Sequence, residues 1–323
     1  MLISIVIPTY NSSGFIGDTI AAIERYVDGS EHDFEVVIAD DGSLDGTYER
    51  LKEIAEKSPL NMTVVQLFTN RGQFHALMAG LAHASGDYVV TFDDDLEYHP
   101  DQISHLLEKF NDEPGKWDVV IGAPNFRKRK VWRNIGSWFT NQVNTIMYNK
   151  PRQLHSGGFR LMTGSFVKCM LEYRTANPIL GPLIFKATRR VTNALVEHQQ
   201  GLRRSNYSLS SLIGVFYKNL QNFTDFPMRY ITNIGFGISI LSISASLFFV
   251  FQYITGIPWP IQSPGWTSLI TSVCFFSGLI LAAIGFLGQY VFRVLEEVNK
   301  TPNYQIRNMI VFRNKSITSN HKN

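Results

Sequence analysis

Residues 86–97 read GDYVVTFDDDLE, and this stretch decides the fold. Positions 88–92 form a short apolar run rich in β-branched and aromatic side chains, the composition of a strand buried on both faces. The run passes without a break into Asp93, Asp94 and Asp95. An open parallel sheet binds its ligands at the carboxyl ends of its strands, so carboxylates placed there point to a site.

Working outward, the same unit recurs. Strands are predicted over 3–8, 34–39, 63–68 and 117–122, and helical spacing of apolar residues marks 12–27, 47–57, 74–85 and 100–111. Strand and helix alternate throughout, which predicts an α/β fold: a mostly parallel sheet with helices on both faces. The second strand ends in Asp40-Asp41-Gly42-Ser43, and the third is followed by Asn70-Arg71-Gly72. Beyond residue 127 the pattern is mixed, with an amphipathic helix over 132–148 and a short turn-strand segment over 156–162.

Composition narrows the function classes. The chain has 323 residues, 45% hydrophobic and 18% charged, with a formal charge of +3. No basic tract interleaved with aromatics is present, which argues against nucleic acid as a partner. Cys169 and Cys274 lie far apart, so neither a disulfide framework nor a zinc site is expected. The opening MLISIVIPTYN has no basic leader region and no cleavage site, so the catalytic part is expected in the cytoplasm.

The apolar excess is concentrated late in the chain, where residues 231–292 contain no Asp, Glu, Lys or Arg. Segments 230–253 and 266–292 are each long enough to cross a hydrocarbon core of about 30 Å. Lys218 and Arg229 precede them and Arg293, Lys300, Arg307 and Arg313 follow, which puts both flanks on the cytoplasmic side. Four parts are therefore expected. They are a cytoplasmic catalytic domain (1–207), a juxtamembrane amphipathic helix (208–229), two transmembrane helices with a short linker (230–292), and a cytoplasmic tail (293–323).

Three adjacent carboxylates repel one another unless a cation neutralises them, and a hard divalent ion that also takes phosphate oxygens does so. Side chains alternate along an extended segment, so Asp93 and Asp95 share a face and Asp94 points elsewhere. Such a pair can hold a metal bridged to a diphosphate; a solvated acidic turn is the plain alternative. Asp40 and Asp41 can accept from a base N–H or a ribose hydroxyl, while Ser43 or Asp45 can cap the next helix. Arg71 can reach a phosphate or a base edge. Arg160, Arg203 and Arg204 offer bidentate phosphate geometry, and the last two can instead meet anionic lipid headgroups.

Taken in order, VIPTYN, DDGSxDGT, NRGQxxALxxG and SGDYVVTFDDDLE resemble the family 2 glycosyltransferases of the GT-A (Rossmann-like) fold. The continuation GGFRLM, H-x6-SNYSL, two apolar spans and EEVNKTPNY resembles their polyprenyl-phosphate branch. That branch includes dolichyl-phosphate mannose synthases, bactoprenol glucosyltransferases and aminoarabinose-type transferases, and the resemblance covers roughly residues 2–305. It implies an inverting transferase that moves a sugar from a nucleotide-diphosphate sugar to a polyprenyl phosphate, with Mg²⁺ or Mn²⁺ as cofactor.

By position, the resemblance implies that Asp93 and Asp95 hold the metal and, with Arg160, serve catalysis. Pro8, Tyr10, Asn11, Asp40, Asp41, Arg71 and Asp94 fall at the nucleotide-sugar positions. Arg160, Arg203, Arg204, Ser205 and Asn206 fall with the lipid phosphate and diphosphate, and Arg133 resembles a basic position in the helix before them. The chain departs from the pattern at Ser12, Glu97, Pro124 and Gly158, the last standing where some members carry an acid. The lipid bilayer, most naturally a bacterial inner membrane, is the expected setting. Gly235, Gly237, Gly278 and Gly285 leave a homo-oligomer open. Two other readings stand beside this one: a polysaccharide-building transferase of the same fold with a glycan acceptor, and an inactive membrane scaffold.

Overall fold

The computed structural model of the chain describes residues 1–124, 151, 154–155, 157–173, 179–197 and 304–313, with scattered helical positions between 255 and 298. The expected amphipathic helix over 208–229, most of both expected spans, and Arg133, Arg203, Arg204, Ser205 and Asn206 lie outside the described residues. Among the described residues, no helix is long and apolar enough to cross a membrane.

Eight strands form one sheet. They are β1 (Leu2–Thr9), β2 (Asp33–Asp40), β3 (Asn61–Leu67), β4 (Tyr88–Thr91), β5 (Val119–Pro124), β6 (Arg160–Thr163), β7 (Val191–Val196) and β8 (Ile306–Phe312). Their order across the sheet is β7-β5-β6-β4-β1-β2-β3-β8. The β3-β2-β1-β4 centre is parallel. β6 enters antiparallel between β4 and β5, and β8 closes the other edge antiparallel to β3. The mostly parallel sheet expected from the sequence is present, with two antiparallel insertions added.

Alternation along the strands explains why both faces are covered. Ile3, Ile5, Ile7, Val36 and Ile38 pack on one face. There they meet α1 (Ile16–Asp28), α2 (Thr47–Lys57) and α4 (Gln102–Asn111) through residues such as Ile20, Leu51 and Leu106. The intervening Val6 and Val37 point the other way. They are covered by α3 (Gln73–Leu81), α5 (Gly164–Leu171) and α6 (Leu180–Ala187). Helix α3 rests directly on the sheet at Gly80, where a Cβ would come within 2.5 Å of Val6 Cγ1.

The registers bring the chain ends of the central strands to one level: Thr9 lies opposite Asp40, and Thr91 opposite Arg160. Everything expected at the site hangs from this edge.

Candidate functional site

β4 delivers Asp93. The strand is buried through Phe92, whose ring meets Phe159 edge-on at 5.8 Å. Phe159 in turn stacks on Tyr98 at 5.0 Å. This aromatic group fixes the start of β6, and strand alternation then sends Arg160 to the opposite face of the sheet. Thr91 Oγ1 donates to Gly158 O at 2.6 Å and ties the two chain segments together.

Gly158 is where the absence of a side chain matters: a Cβ there would sit 3.0 Å from Asp93 Oδ2. The Gly157-Gly158 turn is held from behind by Asn193 of β7. Its Oδ1 accepts from His155 N at 2.7 Å, and its Nδ2 donates to Ile121 O at 3.1 Å.

Asp93 is half-buried, and Gln73 Nε2 donates to its Oδ1 at 2.8 Å. Burial pushes its carboxyl up, Asp95 and Asp94 push it further, and Arg160 pulls it back, for a value of about 6. Asp95 Oδ1 accepts from Glu97 N at 3.1 Å, which pins the turn after the strand. Arg160 is buried at 7% exposure, and burial lowers its guanidinium to about 10 against the opposing pull of Asp93. Its Nε is buried without a hydrogen-bond partner.

A carboxyl whose folded value stands near 6, against about 3.9 unfolded, is favoured in its protonated form by the fold. The stability it confers is fully present below pH ~4 and is lost as pH rises through 6. Without divalent cations, Asp93→Asn should therefore be more stable than the wild type by about 1–3 kcal/mol at pH 7.5. That gain should shrink to nothing near pH 4. Melting temperatures in chelator at the two pH values check it; an equal difference at both would refute the assignment.

Three other expected ligand groups are turned to the protein instead. Asp94 is 7% exposed, and its Oδ2 accepts from Thr9 Oγ1 at 2.8 Å and from Ser12 Oγ. Asp40 is fully buried and accepts from Ser43 N and Oγ. Asp41, 1% exposed, accepts from Arg71 N at 2.9 Å and Gly72 N at 2.7 Å. Carboxylates this enclosed hold loops: Asp41 joins the end of β2 to the turn after β3. Gly42, at φ +69°, lets those turns stack, since a Cβ would meet Thr69 C at 2.9 Å.

Asn11, at φ 50°, belongs to the same scaffold: its N–H donates to Ser43 Oγ, and its Oδ1 accepts from Leu44 N. Asp45 accepts from both Thr47 N and Ser13 N beside the start of α2. The N-cap position is held by Gly46 with no side-chain cap, so neither Ser43 nor Asp45 is the cap expected from the sequence. Pro8 is buried in β1, while Tyr10 is half-buried and Arg71 exposed. The structure thus joins Asp93, Asp95 and Arg160 in one place and gives Asp40, Asp41, Asn11 and Asp94 a framing task.

Sequence reasoning missed Gln73 and Asn193. The motif NRGQ carried Gln73 in plain view; nothing in the local sequence marks Asn193.

Comparison with known proteins bears on the family and the fold. The family model of glycosyl transferase family 2 matches residues 4–171. Undecaprenyl-phosphate 4-deoxy-4-formamido-L-arabinose transferase of Pseudomonas savastanoi pv. phaseolicola is 29% identical over 310 residues, 95% of this chain and 90% of that protein. The protein of the same name from Edwardsiella ictaluri is 28% identical over 312 residues, 95% and 94% of the two chains. Among solved structures, glucosyl-3-phosphoglycerate synthase from Mycobacterium tuberculosis superposes with a TM-score of 0.52 at 18% identity, covering 68% of this chain and 78% of that one. That likeness speaks for the fold.

Proposed function

Because the chain belongs to glycosyl transferase family 2, we propose that it moves a sugar from a nucleotide-diphosphate sugar to a membrane polyprenyl phosphate of the undecaprenyl kind. The observation that carries this reading is the gathering of Asp93 and Asp95 at the carboxyl edge of the sheet, with the buried Arg160 guanidinium within electrostatic reach of Asp93. Relatives spanning nearly the whole chain and named for that acceptor support it.

Asp93 and Asp95 fit a hard divalent cation, Mg²⁺ or Mn²⁺. The crowding that lifts Asp93 is relieved by positive charge, and two carboxylates leave room for phosphate oxygens and water. When bound, such an ion neutralises charge building on a departing diphosphate. Gln73 holds Asp93 in orientation through its amide. The loops framed by Asp40, Asp41 and Asn11 build the wall on which the nucleoside rests, with Pro8, Tyr10 and Arg71 around it.

In the transfer, an acceptor phosphate oxygen forms a bond to the anomeric carbon from the face opposite the leaving group. The bond to the nucleoside diphosphate breaks, and its electron pair leaves with the diphosphate. A phosphate monoester has a second pKa of about 6 and arrives ionised, so no protein base is required. Gly158 beside Asp93 is consistent with that economy. Positioning and charge neutralisation then supply the rate.

A bilayer setting follows from the acceptor, whose isoprenoid tail stays in the membrane. Helical residues Leu269, Val273, Phe276, Ile280, Ile284 and Leu287 are 38–59% exposed. Apolar exposure on that scale suits lipid contact along the second proposed span.

The test is transfer on membranes holding the full chain, with a panel of radiolabelled nucleotide sugars, undecaprenyl phosphate and Mn²⁺, with and without chelator. Chelator-sensitive label in the lipid fraction is expected. Label in polymer would move the acceptor to a glycan, and tight nucleotide binding without turnover would identify a scaffold; either overturns the proposal.

A further inference from the structure

We infer that Gln73 is a positioning residue that decides which divalent cation the Asp93/Asp95 pair accepts. It does so by tying down one oxygen of Asp93, so that the carboxylate serves a cation through the other oxygen alone. This rests on the proposed metal role of the pair and deepens it.

Each carboxylate of the pair has one oxygen committed to the protein. Gln73 Nε2 donates to Asp93 Oδ1 at 2.8 Å, and the Glu97 N–H donates to Asp95 Oδ1 at 3.1 Å. Among the described residues, neither Oδ2 accepts a hydrogen bond. On Asp93 that second oxygen faces Gly158, where a Cβ would come within 3.0 Å of Oδ2 but 3.8 Å of Oδ1. Gly158 therefore keeps a side chain off the oxygen that Gln73 leaves open.

The two donors differ in kind. The N–H on Asp95 is backbone, and any residue at position 97 except proline supplies it. The donor on Asp93 is a side chain brought in from α3, 20 positions earlier in the chain. Its approach is framed from below. Asp41 accepts from Arg71 N at 2.9 Å and from Gly72 N at 2.7 Å, and Gly72 turns at φ +102° into the helix. Asp41 thus fixes the loop that delivers Gln73, although the glutamine itself is exposed.

Cations respond differently to such a pair. Ca²⁺ gathers about six to eight oxygens in flexible geometry and readily takes both from one carboxylate. Mg²⁺ demands near-octahedral geometry and is held by one or two carboxylates with water and substrate phosphates, and Mn²⁺ also suits six oxygens. Two carboxylates that offer one oxygen each match the second pattern and deny Ca²⁺ a bidentate grip. Groups that orient a metal ligand in this way are worth about 10–100-fold in affinity.

The experiment titrates Mn²⁺ into the full chain in uncharged detergent micelles, follows free Mn²⁺ by electron paramagnetic resonance, and then displaces it with Ca²⁺. Saturable Mn²⁺ binding with a preference over Ca²⁺ is expected of the wild type. Gln73→Met keeps the side-chain length and helix propensity and removes the donor. It should weaken Mn²⁺ about tenfold and hold Ca²⁺ near its wild-type affinity, so the preference falls about tenfold. Its melting temperature should hold, because the side chain is exposed.

An unchanged Mn²⁺-to-Ca²⁺ ratio in Gln73→Met, whether both affinities hold or both fall together, would overturn the role given to Gln73 and leave the metal pair standing. Asp95→Asn should abolish the saturable phase; its survival there would place the ion elsewhere and overturn the inference. No saturable Mn²⁺ binding by the wild type would reject the metal reading itself, and the inference with it.

Discussion

Asp95→Asn is expected to lower turnover at least a thousandfold while leaving the fold intact. Asp95 is the strongest charge acting on Asp93 and, among the described residues, accepts from the Glu97 N–H. Neutralising it halves the negative charge offered to a divalent cation. If stabilisation of the departing diphosphate is worth about 4 kcal/mol, its loss costs about a thousandfold in rate. The adjacent Asp94 is the built-in control. Its carboxylate accepts from Thr9 and Ser12 in the interior. Asp94→Asn should therefore lose about 1–3 kcal/mol of stability, with turnover per folded molecule within a few-fold of wild type. Turnover measured at saturating donor, beside the melting temperature of each variant, separates the two. An active Asp95→Asn enzyme would remove the metal from the mechanism.

Phe159→Ala should be the most destabilising single change near the site, by about 3–5 kcal/mol. The ring is 1% exposed, stacks on Tyr98 and meets Phe92 edge-on. Truncation opens a cavity under the turn that carries Gly158 and Arg160. Leucine at the same position restores most of the volume and should recover more than half of the loss. Chemical denaturation of the three proteins checks the order; a loss below about 1 kcal/mol for alanine would mean that the aromatic group does not anchor β6.

The central strands were legible because each is a continuous apolar run, and α2 falls on the predicted 47–57. β7 was not, since Thr192 and Asn193 interrupt its apolar pattern at positions half-buried near the sheet edge. β8 escaped for the same reason: most of IRNMIVF is exposed, as befits an edge strand, and its partner lies far back in the chain. Alternation of strand and helix implies parallel pairing, so it could not announce an antiparallel β6 between β4 and β5.

At the site, Asp93 stood out because motif and strand ending coincide, and Arg160 because it follows the paired glycines at the start of β6. A carboxylate at a strand end looks alike in sequence whether it accepts from a ligand or from the next loop, and only burial separates Asp41 from Asp93.

The pairing of β8 with β3 also constrains the route of the chain. Asn308 Nδ2 donates to Gln66 Oε1 at 2.9 Å, so residues 242 positions apart belong to one sheet and share one aqueous compartment. Whatever path the chain takes through a bilayer between β7 and β8, the number of crossings must be even. A single odd crossing would strand the last ladder of the sheet on the wrong side. The sheet is also incomplete on the ribosome until β8, whose Asn308 lies 242 positions after Gln66, has emerged. Until then β3 has an open edge that only β8 closes.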